Sequence, residues 1–252
     1  GGAEKSIVRM ISSGSSKIEY TISTLGSEKK LLAWCSRESL NTKSFSHRYR
    51  NRLRFVSILL IFVDFFSFIK RERFDAVYTI GVRASVFCRL NKIFINKYKL
   101  VHGIRWNPNS YSLLDVSAIA LEKVSGFLVD GYIFNSFVAM RTFKDRLKIK
   151  NSKVAVIYNG LEIKERKKKS TGEREKVVIT VANISKRKGH LKYINNVVSH
   201  VCALDKDVSF VFLGQDNSGG ELKKKLSELK LDKRVRCLGF SENVSRELGK
   251  AK

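Results

Sequence analysis

Residues 177–189 read VVITVANISKRKG, and this stretch decides the fold. Its β-branched apolar run begins at Val177 and stops at Asn183, and it predicts a buried strand of the kind that parallel sheets use. Three basic residues and Gly189 follow, and apolar residues then recur at helical spacing, so the order is strand, basic loop, helix. That order places backbone N–H groups and cationic side chains at the carboxyl end of a strand, where open α/β sheets bind anions such as phosphate. A basic surface turn without a ligand is the alternative.

The chain is unusually basic. It has 49 Lys and Arg against 23 Asp and Glu, a net charge of +26. Such a charge favours anionic partners, whether nucleic acid, acidic lipid or phosphorylated metabolites, but does not select a fold. With 252 residues, 43 % of them hydrophobic, the chain is long enough for about two domains with real cores. The four cysteines (Cys35, Cys88, Cys202, Cys237) form no CxxC pair, which argues against a zinc site or a disulfide scaffold and favours a reduced, cytoplasmic setting.

Strand-like and helical segments alternate from residue 74 onward. The predicted strands are Asp75–Ile80, Lys99–Val101, Gly131–Phe134, Lys153–Tyr158, Val177–Ala182, Val208–Leu213 and Arg234–Leu238. This alternation predicts α/β domains with parallel, doubly wound sheets. We predict a first domain over residues 1–160, a charged linker over 161–176 and a second domain over 177–252. A second domain with only three strands leaves a sheet edge unpaired, which predicts that it is truncated.

The segment before residue 74 is less regular. Two short strands are predicted, in Lys17–Leu25 and Leu31–Cys35, followed by a basic loop over Thr42–Arg54. Phe55–Ile69 is the most apolar window, but it is shorter than the roughly 20 residues of a membrane span and contains Asp64. It is predicted to be a core helix packed on a sheet. The alternative is an interfacial helix that rests, with its basic flanks, on an anionic bilayer.

The first and last helices have predicted starts. Gly1 and Gly2 precede a helical pattern, where two glycines would let backbone N–H groups approach a ligand at the positive end of the helix dipole. A cloning remnant is the alternative. Near the other end of the chain, Ser241 is predicted to cap a helix.

Several short motifs at predicted strand ends occur in a recognisable order. They are Gly1-Gly2-Ala3-Glu4, Asn135-Ser136, Val156–Gly160, Lys188-Gly189, Gly214 and Val235–Gly239. In this order they resemble glycosyltransferase family 4, and the resemblance covers nearly the whole chain. It implies the GT-B architecture, in which two Rossmann-like domains with parallel sheets face each other across a cleft. Residues 1–160 would then be the acceptor-side domain, and 177–252 a partial nucleotide-sugar-binding domain.

The resemblance also implies a chemistry. Family members move a sugar from a nucleoside diphosphate to an acceptor hydroxyl with retention of configuration, without a metal or other cofactor. Because the leaving diphosphate gains negative charge, fixed cations and N–H dipoles around it stabilise the transition state. By resemblance the catalytic residues are Lys188 and His102, and the donor phosphates are bound by Gly1, Gly2, Asn183, Lys188 and Gly189. The residues of the cleft or hinge are Asn135, Ser136, Asn159, Gly160 and Gly214. For His102, which follows a predicted strand, an ordinary loop or core histidine is the alternative.

The sequence departs from the family pattern in several places. Asn183 stands where the family usually has an arginine, so Lys186 or Arg187 would have to replace a fixed positive charge, and a lysine is a mobile point charge rather than a bidentate fork. In the family, paired glutamates spaced E-x7-E follow Gly239 by one strand, and a further strand precedes Gly1. Neither feature is present in these 252 residues. We therefore expect a fragment with weak activity or none.

Three functions remain open. The main hypothesis is a retaining glycosyltransferase that acts on a polysaccharide or lipid-linked glycan at the inner face of the cytoplasmic membrane, with no nucleic-acid partner. The basic segment Lys43–Arg54 and the apolar helix after it would attract an anionic leaflet, by about 1 kcal/mol per Lys or Arg near the surface. A nucleic-acid-binding protein rests on net charge alone, since no reader motif is present and the aromatic residues lie in apolar runs. A phosphosugar-binding protein of related fold without transfer activity is the third.

Overall fold

The computed structural model describes residues 2–14, 17–26, 29–45, 54–105, 113–148, 153–160, 175–241 and 243–251. The chain divides into a first unit, Gly1–Glu162, and a second unit, Ile163–Lys252. Both contain parallel sheets together with helices, which confirms the predicted α/β class. Most of the predicted linker, residues 161–174, lies outside the described residues.

The first unit has two parallel sheets. Its elements are α1 (Gly2–Ser12), β1 (Thr21–Thr24), α2 (Lys29–Arg37), β2 (Asn41–Ser44), α3 (Arg54–Glu72), β3 (Ala76–Ile80), α4 (Val82–Phe94), β4 (Lys99–Ile104), α5 (Leu113–Ser125), β5 (Gly131–Phe134), α6 (Phe137–Leu147) and β6 (Val154–Val156). β1 pairs with β2, and the larger sheet has the order β3-β4-β5-β6. Because the strands are parallel, their carboxyl ends share one edge of the sheet.

Helix α3 forms a large part of the first unit's core, as predicted for the apolar window. It buries Ile61, Phe65, Phe68 and Ile69, which recur at the period of one helix face. Phe45, just after β2, places its ring centroid 5.5 Å from those of both Phe65 and Phe68. Each such side chain contributes about 1.5–3 kcal/mol relative to exposure. None of the helices in the described segments is both long and apolar enough to cross a membrane.

The prediction for residues 31–54 was partly wrong. Leu31 and Cys35 belong to helix α2 rather than to a strand. The strand is β2, and it overlaps the start of the segment predicted to be a basic loop, Thr42–Arg54. Leu31 and Cys35 lie four residues apart and are buried together with Val8 and Ile22, as one face of a helix requires. A short apolar run does not distinguish a buried helix from a strand, and here the helical packing decides.

The second unit has one parallel sheet with the order β7-β8-β9. Its elements are β7 (Val177–Val181), a 3-10 turn (Lys186–Lys188), α7 (His190–Tyr193), a π-helical segment (Ile194–Val198), α8 (Ser199–Leu204), β8 (Ser209–Leu213), α9 (Glu221–Glu228), β9 (Val235–Gly239) and α10 (Val244–Leu248). The central strand β8 is buried on both faces, since Phe210 and Phe212 belong to one apolar cluster and Val211 and Leu213 to another. A continuous apolar strand is what a sheet covered on both faces requires.

The last helix begins later than predicted. Asn243, not Ser241, caps α10, because its side-chain oxygen accepts a hydrogen bond of 3.0 Å from the backbone N–H of Arg246. Asparagine is among the best N-cap residues, since its short side chain reaches the free N–H groups of the first turn.

Candidate functional site

Asn183 lies just past the end of β7 and is tied to the end of β8. Its side-chain Oδ1 accepts a hydrogen bond of 3.2 Å from the backbone N–H of Gln215. The next residue, Ile184, donates its N–H to the carbonyl of Gln215 at 2.9 Å and forms a parallel bridge with Asp216. Asn183 is exposed, and its amide nitrogen is still a donor. The arrangement fixes one polar group at the carboxyl edge of the second sheet.

The basic turn, Lys186–Gly189, follows directly. Lys186 lies 3.2 Å from a carboxylate oxygen of Glu221, so its charge is partly compensated. Lys188 is exposed, and no carboxylate of the described residues lies within ion-pair distance of it. The side chain of Arg187, the other predicted substitute for the missing arginine, lies outside what is described. Of the two lysines of the basic turn, Lys188 is therefore the one without an acidic partner among the described residues.

Gly189 ends the turn and precedes helix α7. Its φ of 74° is in the left-handed region, which glycine adopts without the cost that a side chain would add. The helix that follows continues without interruption of its helical dihedrals through the π-helical segment into α8. The predicted order of strand, basic turn and helix is thus confirmed in the second unit.

His190 is a residue that the sequence analysis missed. It is the first residue of α7, it is buried, and its ring centroid lies 5.5 Å from that of Phe212. Burial lowers the pKa of His190, although the backbone of Ser185 and the charge of Asp216 oppose that shift. A neutral, packed imidazole therefore supports the turn that carries Lys188. The only sequence signal was a polar residue directly after Gly189.

Gly214, directly after β8, contacts the backbone at the ends of both neighbouring strands. Its backbone N–H donates to the carbonyl of Gly239 at 2.8 Å. A Cβ placed on Gly214 would lie 2.1 Å from the carbonyl oxygen of Ala182, and its φ is 154°. This close approach explains a glycine at this position, whereas the assignment of Gly214 to a hinge stays a prediction.

Two strand ends of the first unit and helix α1 bring together three polar residues. Asn159, after β6, accepts a hydrogen bond of 3.0 Å from Nη1 of Arg105 and one of 3.4 Å from the hydroxyl of Ser6. Arg105 is the residue after β4, and Ser6 lies on α1. Asn159 was predicted by resemblance, but Arg105 was not. Its sequence signal was a cationic residue directly after a strand, a position that becomes informative only once the strand end is known.

The other predicted residues of the first unit have simpler surroundings. Ser136 caps α6, since its hydroxyl accepts from the backbone N–H of Ala139, and Asn135 directly follows β5. Gly160 is exposed, and a Cβ added there would meet no atom within 4 Å. Gly2 is the first residue of α1 rather than part of a loop before it, and Gly1 lies outside the described residues.

His102 is not at the end of its strand, which corrects the prediction. β4 continues to Ile104, so that His102 lies inside the strand and is fully buried. Nη2 of Arg89 lies 2.6 Å from both carboxylate oxygens of Glu122, and Nδ1 of His102 lies 3.1 Å from Oε1. The hydroxyl of Tyr132 donates to Oε2 at 2.9 Å. These four residues form a buried network, here called the core cluster. The burial of His102 is what the alternative of a core histidine predicts, and the catalytic role of His102 stays a prediction.

The electrostatics of the core cluster keep its acid ionised. Burial of the Glu122 carboxyl favours the neutral form, but hydrogen bonds and charge from His102 and Arg89 outweigh it, so the pKa of Glu122 lies below its usual value. Burial also raises the pKa of Tyr132, so its hydroxyl stays a donor. The cluster's charges are thus compensated from within, and this favours a structural role for it.

Comparisons with known proteins identify the fold. No family model and no curated protein matches the chain. HepE of Anabaena, in complex with UDP and glucose, matches 100 % of this chain and 69 % of its own at 18 % identity, with a TM-score of 0.75. A glycosyltransferase from Rickettsia africae matches 100 % of this chain and 68 % of its own at 16 % identity, with a TM-score of 0.70. The lipopolysaccharide outer core galactosyltransferase WaaB matches 100 % of this chain over 69 % of its own length, at 16 % identity and with a TM-score of 0.65. The α/β fold with parallel sheets is therefore that of GT-B glycosyltransferases.

Proposed function

We propose that this protein is a retaining glycosyltransferase that moves a sugar from a nucleoside diphosphate to a glycan or lipid-linked acceptor in the synthesis of a cell-surface polysaccharide. The observation that carries the proposal is the likeness of the whole chain to HepE, which has been solved with UDP and with UDP-glucose. The likeness to WaaB, a lipopolysaccharide outer core galactosyltransferase, supports the acceptor class.

The second unit supports this function through Lys188. Its exposed ammonium has no described acidic partner, whereas Lys186 is held by Glu221. When the glycosidic bond breaks, negative charge accumulates on the leaving diphosphate, so a cation placed there stabilises the transition state more than the ground state. Asn183 contributes an amide donor where the family pattern has an arginine. Lys188 is therefore the residue on which the proposed chemistry depends most.

The test is an assay of nucleoside diphosphate release. Purified protein is incubated with UDP-sugars and GDP-sugars, with and without a lipid-linked glycan acceptor, and the product is examined by NMR. We expect slow release from one donor that increases with acceptor, a new linkage that keeps the donor's anomeric configuration, and a rate that survives EDTA. Transfer with inversion would contradict the retaining mechanism, and loss of the rate in EDTA would contradict transfer without a metal. Absence of both release and UDP or GDP binding would contradict the function.

We also propose that α3 and α4 rest on an anionic membrane surface. The exposed face of α3 carries Ile58, Leu59 and Val63, each 51–55 % exposed, while its opposite face is in the core. The ring of Phe66 on α3 lies 6.2 Å from that of Phe94, which is 72 % exposed, so the two helices present neighbouring apolar surfaces.

Charge supports the same partner. The last turn of α3 contains Lys70, Arg71 and Glu72, and Arg71 pairs with Glu72 at 2.9 Å. Lys70 and Arg73, the residue after the helix, are both exposed. Basic residues beside an exposed apolar helix face fit the headgroup region of an anionic bilayer. The basic segment Lys43–Arg54, which was also predicted to contact the membrane, lies mostly outside the described residues.

Vesicle sedimentation tests the membrane proposal. The wild-type protein should sediment with vesicles that contain phosphatidylglycerol and less with pure phosphatidylcholine. Leu59→Glu should reduce this binding, whereas Ser67→Glu, on the same exposed face but without loss of an apolar side chain, should reduce it less. Equal sedimentation with both kinds of vesicle would contradict the proposal.

A further inference from the structure

Arg105 is a half-buried cation with a neutral partner. Its Nη1 donates to the amide oxygen of Asn159 at 3.0 Å, and that oxygen also accepts from the hydroxyl of Ser6. The two bonds come from different elements, since Ser6 lies on α1 and Arg105 directly after β4. Asn159 therefore fixes the direction of the guanidinium at the carboxyl edge of the first unit's sheet.

The charge of Arg105 is not compensated by a described acid. No carboxylate of the described residues lies within ion-pair distance, and residues 106–112, which follow directly, contain no Asp or Glu. The buried cations of the same unit differ: Arg89 is paired with Glu122, and Lys92 with Asp130. A partly desolvated guanidinium without an acid is stabilised by an external anion.

The neighbouring strand end adds charge of the same sign. Arg83 is exposed and lies three residues past the end of β3, the strand that pairs with β4. The guanidinium of Arg105 uses one of its five N–H donors for Asn159, and the others can meet the oxygens of a phosphate in a fork geometry. A carboxylate would use the fork as well, but the substrates of the proposed reaction carry phosphates.

We propose that Arg105, oriented by Asn159, binds a phosphate group of one of the two substrates, either the diphosphate of the sugar donor or a phosphate of the acceptor. The identity of these substrates rests on the proposed function. Asn159 acts as a positioning residue because it contacts the anion only through the guanidinium that it holds.

Calorimetric titration with inorganic pyrophosphate tests the site itself. It is done in a Lys188→Gln background, so that the basic turn does not dominate the signal. Arg105→Gln should weaken pyrophosphate binding roughly ten- to a hundredfold. Asn159→Asp should weaken it as much, since it keeps both hydrogen bonds but neutralises Arg105 with its own carboxylate. Arg37→Gln, which removes the same charge from an exposed position at the end of α2, should have little effect.

Titration with UDP in the wild-type background separates the two sources of phosphate. If Arg105→Gln weakens UDP binding as well, the phosphate is the donor's; if UDP binding is unchanged while pyrophosphate binding falls, the phosphate is the acceptor's. Equal pyrophosphate affinity for the Arg105→Gln and Arg37→Gln chains overturns the proposal, as does absence of pyrophosphate binding in the Lys188→Gln chain. Because neither titration needs turnover, a failure of sugar transfer would be distinguishable from a failure of this site.

Discussion

The core cluster of the first unit and the basic turn of the second both contain cationic side chains, but they differ in whether the protein balances those charges. In the core cluster, Arg89, His102 and Tyr132 surround the carboxylate of Glu122, and all four are buried. In the basic turn, Lys188 is exposed and has no described acidic partner. The difference shows that a cation near a strand indicates a ligand only when its charge is not already balanced by the protein.

Among the substitutions that test this comparison, Glu122→Gln should cause the largest loss of stability, because it leaves Arg89 buried without its counter-charge. Removing one partner of a buried ion pair costs about 3–5 kcal/mol. Urea denaturation should show this loss for the unfolding of the first unit. Glu228→Gln is the matched control, since Glu228 pairs with Lys225 on the surface and should cost about 1 kcal/mol or less. A loss for Glu122→Gln no larger than the control's would show that the core cluster is not structural.

Lys188→Gln should lower turnover about a hundredfold, since it removes the cation that we propose stabilises the leaving diphosphate. The KM for the acceptor should change much less. Lys192→Gln is the control, because Lys192 is also exposed and lies one helical turn further along the chain. An unchanged rate in Lys188→Gln would remove this residue from the mechanism.

Gly214→Ala should destabilise the second unit by about 1–3 kcal/mol, since the added methyl group would overlap the carbonyl oxygen of Ala182. The end of β7 would have to move, and Asn183 with it, so UDP affinity should fall in the same variant. Gly249→Ala is the control, because the nearest atom to its added Cβ is 3.4 Å away. Wild-type stability of Gly214→Ala would contradict the close approach of these strand ends.

The smallest expected effect comes from His190, whose protonation should make the stability depend on pH. Burial holds the pKa of His190 below its ordinary value of 6.5, so the unfolded chain takes up a proton first as the pH falls. The stability from His190 is present above pH 6.5 and is lost as the pH falls through the lower folded pKa. Thermal unfolding between pH 7.5 and 5 should show this loss in the wild type and less of it in His190→Phe, which keeps the packing on Phe212. His200→Phe, at an exposed position on α8, should retain the wild-type profile.

Local patterns predicted much of the fold. The β-branched run that begins at Val177 and the basic turn with its Gly189 were identified from the sequence, because strand propensity and charge are properties of neighbouring residues. α2 was not, since a five-residue apolar run fits either a helix or a strand until its partners are known. Ser241 and Asn243 are both good caps, and only the course of the backbone selects Asn243.

The candidate site was less predictable than the fold. His102 was expected at a strand end, but the extra length of β4 and the acid on α5 place it in the core. The contact between Arg105 and Asn159 joins residues 54 positions apart, which no local pattern encodes. Whether a charged residue is balanced or free depends on such distant partners, and this is why the sequence alone did not reveal the ion pair of His102 or the contact of Arg105.

The affinity for a nucleoside diphosphate relative to its nucleoside tests the central claim most directly. Calorimetric titrations compare UDP with uridine and GDP with guanosine, under the same buffer and salt. We predict that one of the two diphosphates binds at least about a hundredfold more tightly than its nucleoside, because in the proposed site Lys188, Asn183 and the N–H groups before α7 would bind phosphate oxygens. Equal affinity of diphosphate and nucleoside, or no binding of either diphosphate, would contradict the account.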